Sequence, residues 1–147
     1  MTTHTRVAVS LWTLALVVTA AVFYTPLSAQ GKSVNDGVYS DAQAKRGATL
    51  YGEQCASCHG ETMEGVADLF PALTGAPFVK TWTGKSVGEL FDKIQTTMPA
   101  LDPGSLKPAQ AADIVAFILS HSKYPAGAAE LASTADALKP IQIVAPK

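Results

Sequence analysis

An excess of either charge is missing from this 147-residue chain, in which 11 Lys and Arg stand against 12 Asp and Glu for a net of −1. A protein that reads a phosphate backbone needs a basic face, so this balance argues against a nucleic-acid partner. Cysteine is nearly absent too. The only two, Cys55 and Cys58, are so close that a disulfide between them would staple four residues and restrict the unfolded chain very little. There is no internal repeat, and no alternation of apolar and polar residues that would mark a sheet, which leaves an all-α class. The length suits one small domain and excludes a large multidomain enzyme.

What is present begins with an address. From Val7 to Tyr24 the chain carries no charge, with His4 and Arg6 before it and the small-residue exit PLSAQ after it. That order is expected of a secretory signal peptide over residues 1–29, cut after Ala29, although Leu27 is larger than such sites prefer. The competing reading is an uncleaved membrane anchor, since 18 apolar residues just span a bilayer. Either way the rest is exported, placing the protein in the periplasm. Removing the segment takes Arg6 with it and leaves a weakly acidic mature chain.

Residues 30–39 have no helical period and read as a flexible leader before a domain over 40–124. Ser40 and Gln43 have capping-box spacing, and Ala44, Gly47, Ala48, Tyr51 and Cys55 then recur on one face, predicting a helix over about 41–54. Gly47 within it suggests another helix crossing closely there, beside Tyr51; the bland alternative is a tolerated glycine on an exposed face. Residues 60–84, rich in Gly, Pro and Thr, read as a long loop with at most a short helical turn. Ser86 and Glu89 cap a helix over about 87–96, and the run from Pro108 puts Ala111, Ile114, Phe117, Ile118 and His121 on one face of the strongest helix. The extension 125–147 is expected to lie along the surface, with a short helix somewhere in 128–138.

The chemistry is carried by Cys55-Ala56-Ser57-Cys58-His59. CxxCH is the attachment signature of c-type haem: two thiols three positions apart can each add to one vinyl group of a porphyrin, and the next residue sets an imidazole beneath the iron. A thioredoxin-like site would need a βαβ setting, and a structural zinc site would need four ligands. For the sixth iron position Met98 is the first candidate, in a loop ending at Pro99, where a soft thioether would raise the reduction potential. Met98 as core filler is the bland reading, His121 is a minor alternative ligand, and Met63 is too close to His59 in sequence to cross the ring easily.

The order of helix with Gly47 and Tyr51, then CASCHG, FPAL, TTMP and a final amphipathic helix resembles the class I cytochromes c from about Ser40 to Ser120. More narrowly, GVYSDAQAKRGATLYGEQCASCHG and the tail YPAGAAEL look like the small cytochromes associated with bacterial quinoprotein dehydrogenases. The resemblance implies one covalent haem c between crossing terminal helices. It also implies that the Pro71 carbonyl accepts the Nδ1 proton of His59, that Leu73 packs on the haem face, and that Trp82 lies against a haem propionate, where plain rim filler is an equal reading. Lys107 departs from the pattern, standing where Ser or Thr usually caps the last helix.

The expected function is a non-enzymatic one-electron carrier, soluble or tethered to the membrane. A periplasmic dehydrogenase would be its donor, and an oxidase or another cytochrome its acceptor. Its rivals are a haem-bearing subunit of a dehydrogenase complex and an open-site haem peroxidase or sensor. Docking is expected through apolar residues near the haem edge, around Met63, Phe70 and Pro99, without a strongly basic ring.

Overall fold

A computed structural model describes residues 31–147; the expected signal segment lies outside the described residues. Within them the regular structure is helical, with no strand: α1 Asp41–Gln54, α2 Ala56–His59, α3 Gly75–Trp82, α4 Val87–Thr97, α5 Pro108–His121 and α6 Ala135–Leu138. No described helix is long and apolar enough to cross a membrane.

Helix α1 starts where the capping residue puts it, the Ser40 hydroxyl accepting from the Gln43 amide at 3.1 Å. The expected box is only half made. The Gln43 side chain is buried and serves the C-terminal extension instead, donating to the Leu131 carbonyl at 3.1 Å and accepting from the Leu131 amide at 2.7 Å. In α4 the box is complete, with the Ser86 hydroxyl and Glu89 carboxylate each bonded to the other's backbone amide. Helix α5 solves the problem posed by Lys107 by another route. Pro108 needs no amide partner at the first position, and the Gln110 side chain accepts from the Lys107 amide at 2.9 Å.

Helices α1 and α5 cross at Gly47. A Cβ there would stand 1.8 Å from the Asp113 carbonyl oxygen and 2.9 Å from Phe117 Cβ, so only glycine permits the approach. One turn on, the Tyr51 and Phe117 rings pack at 5.5 Å. Arg46 clamps the crossing from outside, reaching both Asp113 oxygens at 2.9 Å and both Glu130 oxygens at 2.9 and 3.0 Å. A bidentate guanidinium fork fixes geometry as well as charge, and it holds Glu130 below the usual carboxylate range.

Three expectations need correction. Of the expected leader, residues 31–39 are not loose: Val34 is fully buried, Ser33 and Asp36 cap a single 3₁₀ turn over Val34–Asp36, and the Tyr39 hydroxyl donates to the Tyr124 carbonyl at 2.6 Å. The extension 125–147 does not merely lie on the surface, because Leu131, Leu138, Ile141 and Ile143 are buried in the main core. Its end acts as a strap. Gln142 bridges Ser33 on one side and Ser86 on the other, and Ile141 and Ile143 exchange backbone bonds with Gly84, Lys85 and Val87. Thirdly, the region 60–84 contains α3, eight residues long, where at most one turn was expected. Its proline, Pro77, sits in the first turn, where a missing amide costs nothing.

Candidate functional site

Helix α1 ends at Gln54, Cys55 breaks the helical backbone, and α2 carries the rest of the motif as one short turn. The Tyr51 hydroxyl donates to the Gly60 carbonyl at 2.7 Å, tying the end of that turn to the α1–α5 crossing. Burial, with smaller contributions from Cys55 and Glu64, pushes the Tyr51 hydroxyl up to about 12, so it remains a donor at neutral pH. No disulfide joins Cys55 and Cys58. Burial, followed by the neighbouring Cys58, pushes the Cys55 thiol up to about 11.

His59 is buried and its Nδ1 lies 2.9 Å from the Pro71 carbonyl oxygen. A carbonyl only accepts, so Nδ1 carries the proton and Nε2 keeps its lone pair. The loop that delivers Pro71 folds back at Gly65, whose amide donates to the His59 carbonyl at 2.8 Å. Gly65 has a φ of +70°, and a Cβ there would stand 2.4 Å from the Phe70 carbonyl, so the return depends on glycine. Phe70 lies edge-on to the imidazole at 6.2 Å.

These elements enclose a cavity of about 460 Å³. Cys55, His59, Pro71, Leu73, Trp82 and Met98 line it, so the structure gathers residues up to 43 positions apart in sequence around one space. Cys58 is half-buried beside them and does not line it. The remaining apolar wall is Ala72, Leu90, Ile94, Ile114 and Ile118. Sequence reasoning placed Leu90 and Ile94 on a helix without assigning them to the site. The overlooked signal is their spacing of four, which continues to Met98, the residue that ends α4. Thr81, Lys85, Glu89 and Lys93 also line the cavity; Glu89 was expected only as a helix cap, and no motif announced the other three.

Two minor expectations fall. His121 does not line the cavity, its ring packing on Phe117 at 5.9 Å instead. Met63 is fully buried and bonded by backbone to Leu73, so it cannot belong to a docking surface; among the described residues the exposed large apolar side chains are Leu69, Leu101 and Val66, which exchanges backbone bonds with Phe70.

A cavity of this size is in the range of cofactor sites, its walls are mostly apolar, and an imidazole with a free Nε2, a thioether and a thiol all reach it. That donor set suits a flat iron macrocycle. Residues 42–118 match the family described as cytochrome C oxidase, cbb3-type, subunit III. The chain belongs to this family of c-type cytochrome domains. Its cofactor is covalently bound haem c, and its chemistry is electron transfer.

Similar solved structures include the sulfane dehydrogenase SoxCD from Paracoccus pantotrophus, at 23% identity and a TM-score of 0.43 over 59% of this chain and 51% of that one. Another is the thiosulfate dehydrogenase TsdBA from Marichromatium purpuratum, at 36% identity and a TM-score of 0.45 over 52% of this chain and 17% of that one. The chain thus spans about half of the first and a small part of the second. A comparison with curated proteins returns no match.

Proposed function

We propose that this chain is an exported monohaem electron carrier whose iron is held between His59 and Met98. It would take one electron at a time from a periplasmic dehydrogenase and pass it to an oxidase or another cytochrome. The observation that carries the reading is that His59 and Met98 line the same apolar cavity, with His59 already oriented by Pro71.

Haem bound there supplies a one-electron couple between ferric and ferrous iron. Cys55 and Cys58 would hold it through two thioether bonds, one from each sulfur. His59 presents Nε2, and the Nδ1 bond to Pro71 both sets the tautomer and raises the basicity of the ring. Met98 supplies a soft sulfur that favours the reduced state. Leu73, Leu90, Ile94, Ile114 and Ile118 keep water from the iron, which also favours the state of lower charge. His59 and Met98 would both hold the iron and so leave no place on it for a substrate, which suits one-electron transfer rather than catalysis on a bound substrate.

Replacing Met98 tests the assignment. In Met98→Ala holoprotein the low-spin spectrum and the weak sulfur-to-iron absorption of the ferric state are expected to vanish, and the midpoint potential to fall. A variant with an unchanged ferrous spectrum and potential would mean that Met98 does not hold the iron and that the sixth position is open or weakly held, which is the behaviour of a peroxidase or sensor.

A further inference from the structure

The polar groups that reach the cavity are not equally free. The Thr81 hydroxyl is spent on the Pro77 carbonyl at 2.9 Å. The Glu89 carboxylate is turned into its capping box, accepting from the Ser86 amide at 2.8 Å and the Ser86 hydroxyl at 2.9 Å. His59 Nδ1 is engaged by Pro71. Lys85 and Lys93 are different. Among the described residues neither is in a salt bridge or a side-chain hydrogen bond, although both line the cavity of a protein with a slight excess of acidic groups.

Lys85 is also held in place. Its carbonyl accepts from the Ile143 amide at 2.8 Å, and the Gly84 amide donates to the Ile143 carbonyl at 2.9 Å, so the C-terminal strap fixes its backbone from both sides. Its ammonium stands 4.8 Å from the centre of the Trp82 ring, another lining residue, in cation–π contact. Lys93 lies two turns into α4, a rigid element whose Leu90 and Ile94 form the neighbouring wall. Apart from these two lysines and His59 the polar lining is Thr81 and Glu89, both turned to partners within the chain, so two ammonium groups free of hydrogen-bonded partners beside a mostly apolar cavity form a site for a dianion. Haem carries two propionate carboxylates on one edge and is elsewhere apolar.

We propose that Lys85 and Lys93 bind the two haem propionates, and that the C-terminal strap positions Lys85 for this contact. The proposal rests on haem occupying this cavity. It also gives these lysines an internal use, so that they add no basic ring to the docking surface. Each ammonium offsets a carboxylate charge that would otherwise favour ferric iron, so each raises the midpoint potential.

The experiment compares holoprotein variants Lys85→Met, Lys93→Met and the double substitution with Lys85→Arg and with Lys45→Met, an exposed α1 lysine that does not line the cavity. Midpoint potential is read by spectroelectrochemistry, and the propionate bending band by resonance Raman. The potential is expected to fall in both single methionine variants and further in the double one, with the Raman band displaced, whereas Lys85→Arg and Lys45→Met keep both signals. The proposal is overturned if Lys85→Met and Lys93→Met match Lys45→Met in both signals. It is equally overturned if they alter only the salt dependence of reduction by an acidic partner, which would make the lysines a protein-docking patch. A chain purified without attached haem would overturn the underlying reading, a result distinguishable from failure of the propionate contacts alone.

Discussion

At Gly47 two effects of opposite sign meet in one methyl group. Alanine would gain about 1 kcal/mol of helix propensity. It would also place a carbon 1.8 Å from the Asp113 carbonyl, an overlap with backbone that no rotamer can relieve. Overpacking of this kind costs about 3 kcal/mol when the neighbours cannot retreat, so the clash wins. Gly47→Ala holoprotein is therefore expected to lose about 2 kcal/mol in urea unfolding, and a variant as stable as the parent would show that the helices can part without cost. The close crossing was legible in the sequence because a glycine one turn before Tyr51 on a helical face has few other uses. The attachment motif was legible for a similar reason, since its geometry is contained within five residues. Lys85 and Lys93 were not, because a lone lysine before a helix or on its polar side carries no signal of what it borders until the tertiary structure shows it.

Helices α1, α4 and α5 were legible at the level of the element, since each joins a helical apolar period to an N-terminal signal. Helix α3 was not, because glycine, proline and threonine outweigh its apolar residues and only the position of Pro77 in the first turn makes the helix possible. The strap is the other element that the sequence concealed. Residues 141–143 contribute two buried isoleucines and three backbone hydrogen bonds to the segment 84–87. Burial of an isoleucine is worth about 1.5–3 kcal/mol, so the strap contributes far more than its length suggests. Deleting residues 140–147 is expected to lower the Tm of the holoprotein by on the order of 10 °C and to speed amide exchange at Gly84 and Val87. An unchanged Tm would mean that the strap merely rests on the domain.

The whole molecule gains from several carboxylates that are bonded only when it is folded. Arg46 lowers the pKa of Glu130, the Ser86 amide lowers that of Glu89, and the Ser33 amide lowers that of Asp36. A folded-state pKa below the unfolded one gives stability that is fully present above the unfolded value, about 4 for these groups, and is lost as pH falls through the folded value. The urea midpoint should thus be level near neutrality and drop below about pH 4, with a shallower drop in Glu130→Gln. An equally steep drop in that variant would place the acid sensitivity elsewhere. On this largest scale the division of information follows distance along the chain. The CxxCH motif of Cys55, Cys58 and His59, the helical class and the main helix boundaries were legible in the sequence itself, because covalent geometry and backbone period act over a few residues. Only the tertiary structure decided that Met98 and His59 line one cavity, that Met63 is core, that residues 31–39 are packed, that the extension 125–147 enters the main core, and that Lys85 and Lys93 border the cavity. Those outcomes depend on which faces are buried together, and burial is a property of the assembled chain.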